Sequence, residues 1–275
     1  MINFLHTNLP DAILIAIGPL TVYWYGMFVV LGILAAIFIS FKLAEFYHIE
    51  KDALIDLAFW LIICGIAGAR IYHIFLELGY YLDNPLDMFK LWNGGLAIHG
   101  GIIAGLTILW IFSKRHKINF WQLSAILAPA LALAQTIGRW GNYFNQELFG
   151  KPTNLPWGIP VATNNRIMEY YNSQFFHPTF LYESLGNFLI FLILVLIHLL
   201  IIKNKFPQKW YKLRFEICAL FYLILYSLLR FSLEFIRIDD TLVFWGLRLP
   251  QTVSLIIITV SIIFLMVKKR KIRNT

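Results

Sequence analysis

Residues 179–202 read TFLYESLGNFLIFLILVLIHLLII. After Glu183 the run contains no Lys, Arg, Asp or Glu. About 20 mostly apolar residues suffice to cross a hydrocarbon core of about 30 Å. A chain in lipid must satisfy its backbone polar groups within the segment, so such a run is a helix. Two polar residues mark its ends. Glu183 opens it, and His198, toward its close, reads as a packing or snorkelling side chain.

Six further stretches have the same character, at about 19–41, 53–76, 95–113, 120–137, 215–236 and 245–267. The composition agrees: 59% of residues are hydrophobic and 14% charged, with a mean hydropathy of +0.70, against roughly 25% charged in a soluble domain. The expected fold is an all-α integral membrane protein with seven transmembrane helices. No repeat, low-complexity tract or linker divides residues 1–275, so one polytopic domain is expected. The stretch at about 138–177, rich in Asn, Pro and Gly, is too long for an ordinary connection and reads as a functional insertion between helices four and five.

Orientation follows from the basic residues. Connections after the first, third, fifth and seventh spans carry fifteen: Lys42 and Lys51, then Lys114, Arg115 and Lys117, then Lys203, Lys205, Lys209, Lys212 and Arg214, and finally Lys268, Lys269, Arg270, Lys271 and Arg273. The other side holds Lys90, Arg139, Lys151, Arg166, Arg237 and Arg248, with Arg70 and Arg230 inside spans. This bias predicts an external N-terminus, a cytoplasmic C-terminus and an external insertion. The net charge of +8 is therefore a topology signal. Basic residues scattered over short connections do not form a nucleic-acid surface. Residues 1–18 have no basic start and contain Pro10 and Asp11, so an external surface segment is expected rather than a cleavable signal. Cys64 and Cys218 lie in different spans, without the spacing of a redox or zinc motif, and read as small packing residues.

Alternate spans run in opposite directions, so each intramembrane polar residue has a depth. Tyr25 lies early in span one, Arg70 late in span two, His99 at the start of span three and Arg139 at the end of span four. His177, Tyr182 and Glu183 open span five, Arg230, Glu234 and Arg237 close span six, and Gln251 begins span seven. All are expected in the outer half. Intramembrane ionisable groups pair, face water or hold a polar substrate. Arg230, Glu234 and Arg237 recur at i, i+4 and i+7 and are expected to share one helix face. One carboxylate does not neutralise these two arginines and Arg139 as well, so the pocket favours an anion, and a guanidinium fork suits phosphate. The structural alternative is an ion-pair network joining helices. His99, in Leu-Ala-Ile-His-Gly-Gly, is either a hydrogen-bonded interior residue or a proton-transfer group. Tyr25 and Tyr182 are interfacial belt residues or donors to a headgroup. These residues describe an anionic headgroup held at the outer leaflet beside a base, and do not by themselves separate transport from chemistry.

The segment Gly138-Arg-Trp-Gly-Asn-Tyr-Phe-Asn-Gln-Glu-Leu-Phe-Gly150 resembles the signature of the prolipoprotein diacylglyceryl transferases at every fixed position. The chain also carries that family's Tyr-Gly at Tyr25, Gly-Ala-Arg at Arg70, His-Gly-Gly at His99, His-Pro-x-x-Leu-Tyr-Glu at His177–Glu183 and Arg-Phe-x-x-Glu-Phe-x-Arg at Arg230–Arg237, in family order. Pro250, before Gln251, is a departure, since the family more often has a small residue there.

The resemblance implies transfer of the sn-1,2-diacylglyceryl group of phosphatidylglycerol to the lipobox cysteine thiol of a preprolipoprotein, with release of glycerol 1-phosphate. This is the first step of bacterial lipoprotein maturation, at the outer leaflet of the cytoplasmic membrane. On that basis Arg139 and Arg230 are expected to hold the lipid phosphate, with Tyr25, Asn142 and Arg70 binding the lipid and His99 as the thiol base. Asn145, Glu147, Tyr182, Glu234 and Arg237 are expected as supporting residues, Glu147, Glu234 and Arg237 by fixing the arginines, and Gly150 as the turn of the external loop. No metal or diffusible cofactor is implied. The rival class is a lipid or anion transporter, which would place its site near the midplane between inverted repeats or broken helices. A phosphoalcohol transferase would need acidic metal-binding clusters, and the adjacent pair Asp239 and Asp240 has no partner motif.

Overall fold

The computed structural model describes residues 2–18 and 20–273. Its elements in chain order are α1 (Ile2–Thr7), β1 (Ile13–Ile17), β2 (Leu20–Tyr23), α2 (Trp24–Phe46), α3 (Lys51–Leu76), α4 (Leu78–Asp83), α5 (Ile98–His116), α6 (Phe120–Phe144), β3 (Ile159–Pro160), β4 (Phe175–Phe176), α7 (Thr179–Ile202), α8 (Arg214–Leu233), β5 (Val243–Phe244), β6 (Leu247–Arg248) and α9 (Leu249–Arg273). Among the described residues, six helical segments are long and apolar enough to cross a membrane: Trp24–Phe46, Lys51–Leu76, Phe120–Phe144, Thr179–Ile202, Gln208–Leu233 and Leu249–Ile272. The protein is thus an all-α membrane protein. α5 is not among the six. Its 19 residues end in Lys114, Arg115 and His116, so its apolar part, residues 98–112, is short.

Several expected ends move, each for a local reason. The first helix starts at Trp24 rather than at about 19, because β1 and β2 form an antiparallel hairpin pairing Ile17 with Leu20, with Gly18 at φ +57° in its turn. Pro19, where the first span was expected to begin, lies outside the described residues, as does the side chain of Arg273. The third helix waits until Ile98, since Gly94 and Gly95 hold φ values of +81° and +75°. The fourth continues through the first seven signature residues to Phe144, so the insertion starts at Asn145 and not at 138. α8 stops at Leu233, which takes Arg237 off the helix face it was expected to share with Arg230.

The chain divides into two compact units. One comprises Ser40–Ile126, in which α3 and α5 pack closely at glycines. A Cβ on Gly68 would stand 2.5 Å from Ala104 Cβ and 2.7 Å from the Gly100 carbonyl oxygen. Only residues without side chains allow such backbone approach between membrane helices. Asn119 caps α6, its side-chain oxygen accepting from the N–H groups of Trp121 (2.8 Å) and Gln122 (3.3 Å).

The other unit comprises Met1–Ile39 and Leu127–Thr275. Here the insertion has its own apolar core of Leu5, Tyr143, Phe149, Ile159, Val161, Phe176 and Phe180. α1 is stitched to it by a His6 Nδ1 contact of 2.8 Å with the Gly158 carbonyl and by stacking of His6 on Phe175. Antiparallel β3 and β4 pair Ile159 with Phe176, and an isolated bridge joins Gly150 to Arg237. The insertion is therefore a folded module that anchors the end of α6 and the start of α7.

Candidate active site

The helical run through Asn142 sets the site. Arg139 and Asn142 lie one turn apart on α6, and an Arg139 N–H donates to the Asn142 side-chain oxygen at 3.2 Å. The Asn142 amide donates to Glu147 Oε1 at 2.7 Å, and Asn145 reaches the same oxygen at 3.3 Å. Glu147 therefore fixes the two amides and acts on Arg139 only through Asn142. The loop turns back at Gln146 and Leu148, with φ of +52° and +56°. Such values in side-chain-bearing residues mark a locally strained segment.

Gly150 has a different task from the turn expected of it. A Cβ there would lie 2.8 Å from Ile236 Cγ2, 2.9 Å from Thr179 Cγ2 and 3.0 Å from His177 Cβ. It is the point where three chain segments close on one another, with its N–H donating to the His177 carbonyl at 2.9 Å. The Thr179 hydroxyl donates to the Leu148 carbonyl beside it.

α7 supplies the carboxylate that the charge count from sequence lacked. Glu183, 1% exposed, lies 2.6 Å from Arg139 Nη2 and 3.7 Å from Arg237 Nη1. The Tyr226 hydroxyl reaches it at 3.5 Å and also bonds Arg139. Glu234, equally buried, stands 2.9 Å from Arg230 Nη1 and 2.7 Å from Arg248 Nε. Arg237 turns to Asp239 at 2.8 Å. Arg248 also donates to the carbonyls of Arg237 (2.8 Å) and Asp239 (2.5 Å). Burial works to raise the Asp239 carboxyl, but the hydrogen bond and charge of Arg237, with Arg248 adding, hold it below the usual range.

Four guanidiniums thus face three carboxylates, a nearly neutral network in place of the uncompensated one expected. Glu183, Tyr226, Asp239 and Arg248 are the members that sequence reasoning left without roles. For Glu183 a signal existed: it is the only acidic residue in a 24-residue apolar helix, and such a group demands a cationic partner.

Donor commitment separates the arginines. Arg248 and Arg237 are tied into backbone and carboxylates. Arg230, with 18% of its side chain exposed, makes one ion pair among the described residues, off the direction of a hydrogen bond. Its remaining N–H groups are uncommitted. Tyr25, in the first turn of α2, lies against Gly141, where an added Cβ would come within 2.7 Å of its ring. Tyr182 accepts from Trp157 Nε1 at 2.8 Å and lies 3.1 Å from His177 Nδ1, so it ties the insertion to α7. Burial lowers the His177 pKa. Gln251, at the third position of α9, accepts from the N–H of Arg248 at 3.1 Å. That is the return bond of a capping box, and Pro250 in the first turn is compatible with it.

In the other unit, His99 is exposed on the first turn of α5, its ring 6.0 Å from that of Tyr72. Arg70 is 6% exposed and is surrounded by backbone carbonyls rather than by carboxylates.

These elements define a polytopic helical membrane protein with a buried arginine–carboxylate network braced by a folded insertion. A family model described as prolipoprotein diacylglyceryl transferase matches residues 12–267. A protein of Synechococcus elongatus named phosphatidylglycerol–prolipoprotein diacylglyceryl transferase is 40% identical over 254 residues, covering 92% of this chain and 86% of its own. Relatives of the same name from Trichormus variabilis (40% identical, 97% of this chain and 93% of its own) and Oceanobacillus iheyensis (38%, 98% and 92%) are similar along almost their whole lengths. The chain belongs to the prolipoprotein diacylglyceryl transferase family. It is an enzyme, and a transferase.

Proposed function

We propose that the chain transfers the sn-1,2-diacylglyceryl group of phosphatidylglycerol to the lipobox cysteine of a preprolipoprotein, at the outer leaflet of the bacterial cytoplasmic membrane. The names of its relatives supply the two substrates. The basic-residue bias supports an external N-terminus and a cytoplasmic C-terminus. With α5 as a short span on glycine-packed contacts, the count becomes seven, and the insertion faces the periplasm.

In the reaction a cysteine thiolate attacks the glycerol carbon esterified to phosphate. The new C–S bond forms as the C–O bond breaks, and the electron pair stays on the leaving oxygen of glycerol 1-phosphate. The thiol proton passes to a base. Charge growing on the leaving phosphate calls for pre-placed donors, and the observation that carries this reading is Arg230, with free N–H groups beside the Glu183–Arg139 pair. Arg139 would hold the diester, oriented by Asn142 and in turn by Glu147 and Asn145, with Tyr25 lining the headgroup. Glu234 and Arg237 hold the other charges in place. His99 is the thiol base on the strength of its ring chemistry near neutral pH and its exposed place at the start of α5.

The test is direct. Purified protein is incubated with labelled phosphatidylglycerol and a lipobox peptide bearing its signal helix. A thioether-linked lipid and free glycerol 1-phosphate are expected, and Arg139→Ala abolishes both. Lipid movement across vesicles without thioether formation would replace the transferase reading by a transporter.

A further inference from the structure

We infer that Arg70 is a positioning residue rather than a ligand of the lipid phosphate: it locks the segment preceding α5 onto α3 and so sets the first turn of α5. The inference rests on the reading of His99 given above.

A guanidinium has five N–H donors, and Arg70 has committed all of them to one loop. Nε donates to the Met88 carbonyl at 3.0 Å. Nη1 donates to Gly94 (2.6 Å) and Gly95 (3.0 Å). Nη2 donates to Asp87 and, at 3.3 Å, to Lys90. No donor remains for an anion. Among the described residues no carboxylate lies within ion-pair reach of Arg70. Asp87 instead accepts from Lys90 Nζ and from the Tyr80 hydroxyl, each at 2.6 Å. The guanidinium lies 5.2 Å above the ring of the buried Tyr81, which the His73 ring meets edge-on at 5.9 Å.

The loop is shaped for this one side chain. Gly94 and Gly95 take positive φ, and a Cβ on Gly95 would stand 2.5 Å from Arg70 Nη1 and 2.6 Å from the His73 ring. Two residues on, the Ala97 N–H donates to the carbonyl of Ala69, the neighbour of Arg70, at 3.0 Å. Ala97 is the N-cap of α5 and offers no side-chain cap. The start of α5 is therefore set by the tether to α3, and His99 is its second residue.

Lysine at position 70 keeps the charge but offers three donors from one point, so it does not span five carbonyls. The test uses the full-length enzyme in detergent with Arg70→Lys and, as an independent route into the same contact, Gly95→Ala. Both variants should speed amide exchange in residues 85–99 by about tenfold or more. Both should lower kcat by about 100-fold while the KM for phosphatidylglycerol stays within about twofold. A rise in that KM with exchange unchanged would overturn the proposal and return Arg70 to phosphate binding, and exchange and kinetics unaltered in both variants would also overturn it. Faster exchange with normal kcat would leave the lock standing but refute its link to catalysis.

Discussion

Replacing Arg230 and Arg248 in turn by lysine separates an arginine that meets substrate from one that holds the fold. Arg230 makes one ion pair, and its partner Glu234 keeps a second cation, Arg248 Nε, at 2.7 Å. Arg230→Lys therefore orphans no carboxylate, and the melting temperature in detergent should hold within about 2 °C. It removes the fork from the developing phosphate charge. Loss of a single pre-placed donor costs about 10²–10³ in rate, so kcat/KM should fall by at least about 100-fold. Arg248→Lys breaks the aligned bond to Glu234 and frees the carbonyls of Arg237 and Asp239. Lysine keeps the charge and Glu234 keeps Arg230 at 2.9 Å, so the cost is that of the charge-assisted hydrogen bonds lost and the buried acceptors left unsatisfied, about 3 kcal/mol. At roughly 2–4 °C per kcal/mol for a chain of this size, melting falls by roughly 6–12 °C. Thermal unfolding and initial-rate transfer on the same preparations give both numbers. The reasoning is refuted by the reverse pattern: early melting with intact turnover in Arg230→Lys, or unchanged melting with lost turnover in Arg248→Lys.

Other residues of this unit lead to three further expectations. Glu183→Gln leaves Arg139 without a carboxylate in reach and should destabilise the protein by about 3 kcal/mol as well as lowering transfer; a variant as stable as the parent would mean that the pair contributes nothing to the fold. Gly150→Ala forces a methyl against the branched carbons of Ile236 and Thr179, an overpacking of about 1–3 kcal/mol that thermal melting will register, whereas an unchanged melt would mean the three segments yield freely. For His177 the sign is fixed by burial, which lowers its folded pKa. The stability it contributes is complete above the ordinary value of about 6.5 and is lost as pH falls toward the folded value. Acidification should expose the insertion to protease near Trp157, and His177→Gln should remove that pH dependence.

Hydropathy made the long helices legible because every one carries an apolar stretch that only lipid explains. Their ends were less legible because backbone geometry decides them. A positive φ at Gly18 turns residues 20–23 into a strand, and α6 runs on through Arg139 and Asn142 because those polar side chains satisfy each other. The same limit applied to the site. The spacing of Arg230, Glu234 and Arg237 pointed to one helix face, but the helix ends at Leu233 and the chain carries Arg237 across to Gly150 and Glu183 instead. Signature residues could be picked out from their polarity in an oily chain. Which acid met which base depended on tertiary approach between α6, α7 and the chain after α8, which no local pattern encodes.

The way each arginine is satisfied bears on what it can do. Carbonyls saturate the donors of Arg70 without cancelling its charge, which suits a fixed structural tie. Carboxylates cancel charge, and in the ion-paired network of the other unit the three carboxylates Glu183, Glu234 and Asp239 against four guanidiniums leave one positive charge in excess. On the proposed assignment that excess matches the single charge of a phosphodiester, so the ground state is held without deep over-binding. When the C–O bond breaks, the phosphate acquires a second negative charge, and only donors not already committed can meet it. Arg230 has them. An interaction that grows between ground state and transition state raises kcat rather than lowering KM. The cost of Arg230→Lys should therefore appear in kcat, with the KM for phosphatidylglycerol little changed, and a loss confined to KM would place Arg230 with the ground-state lipid instead.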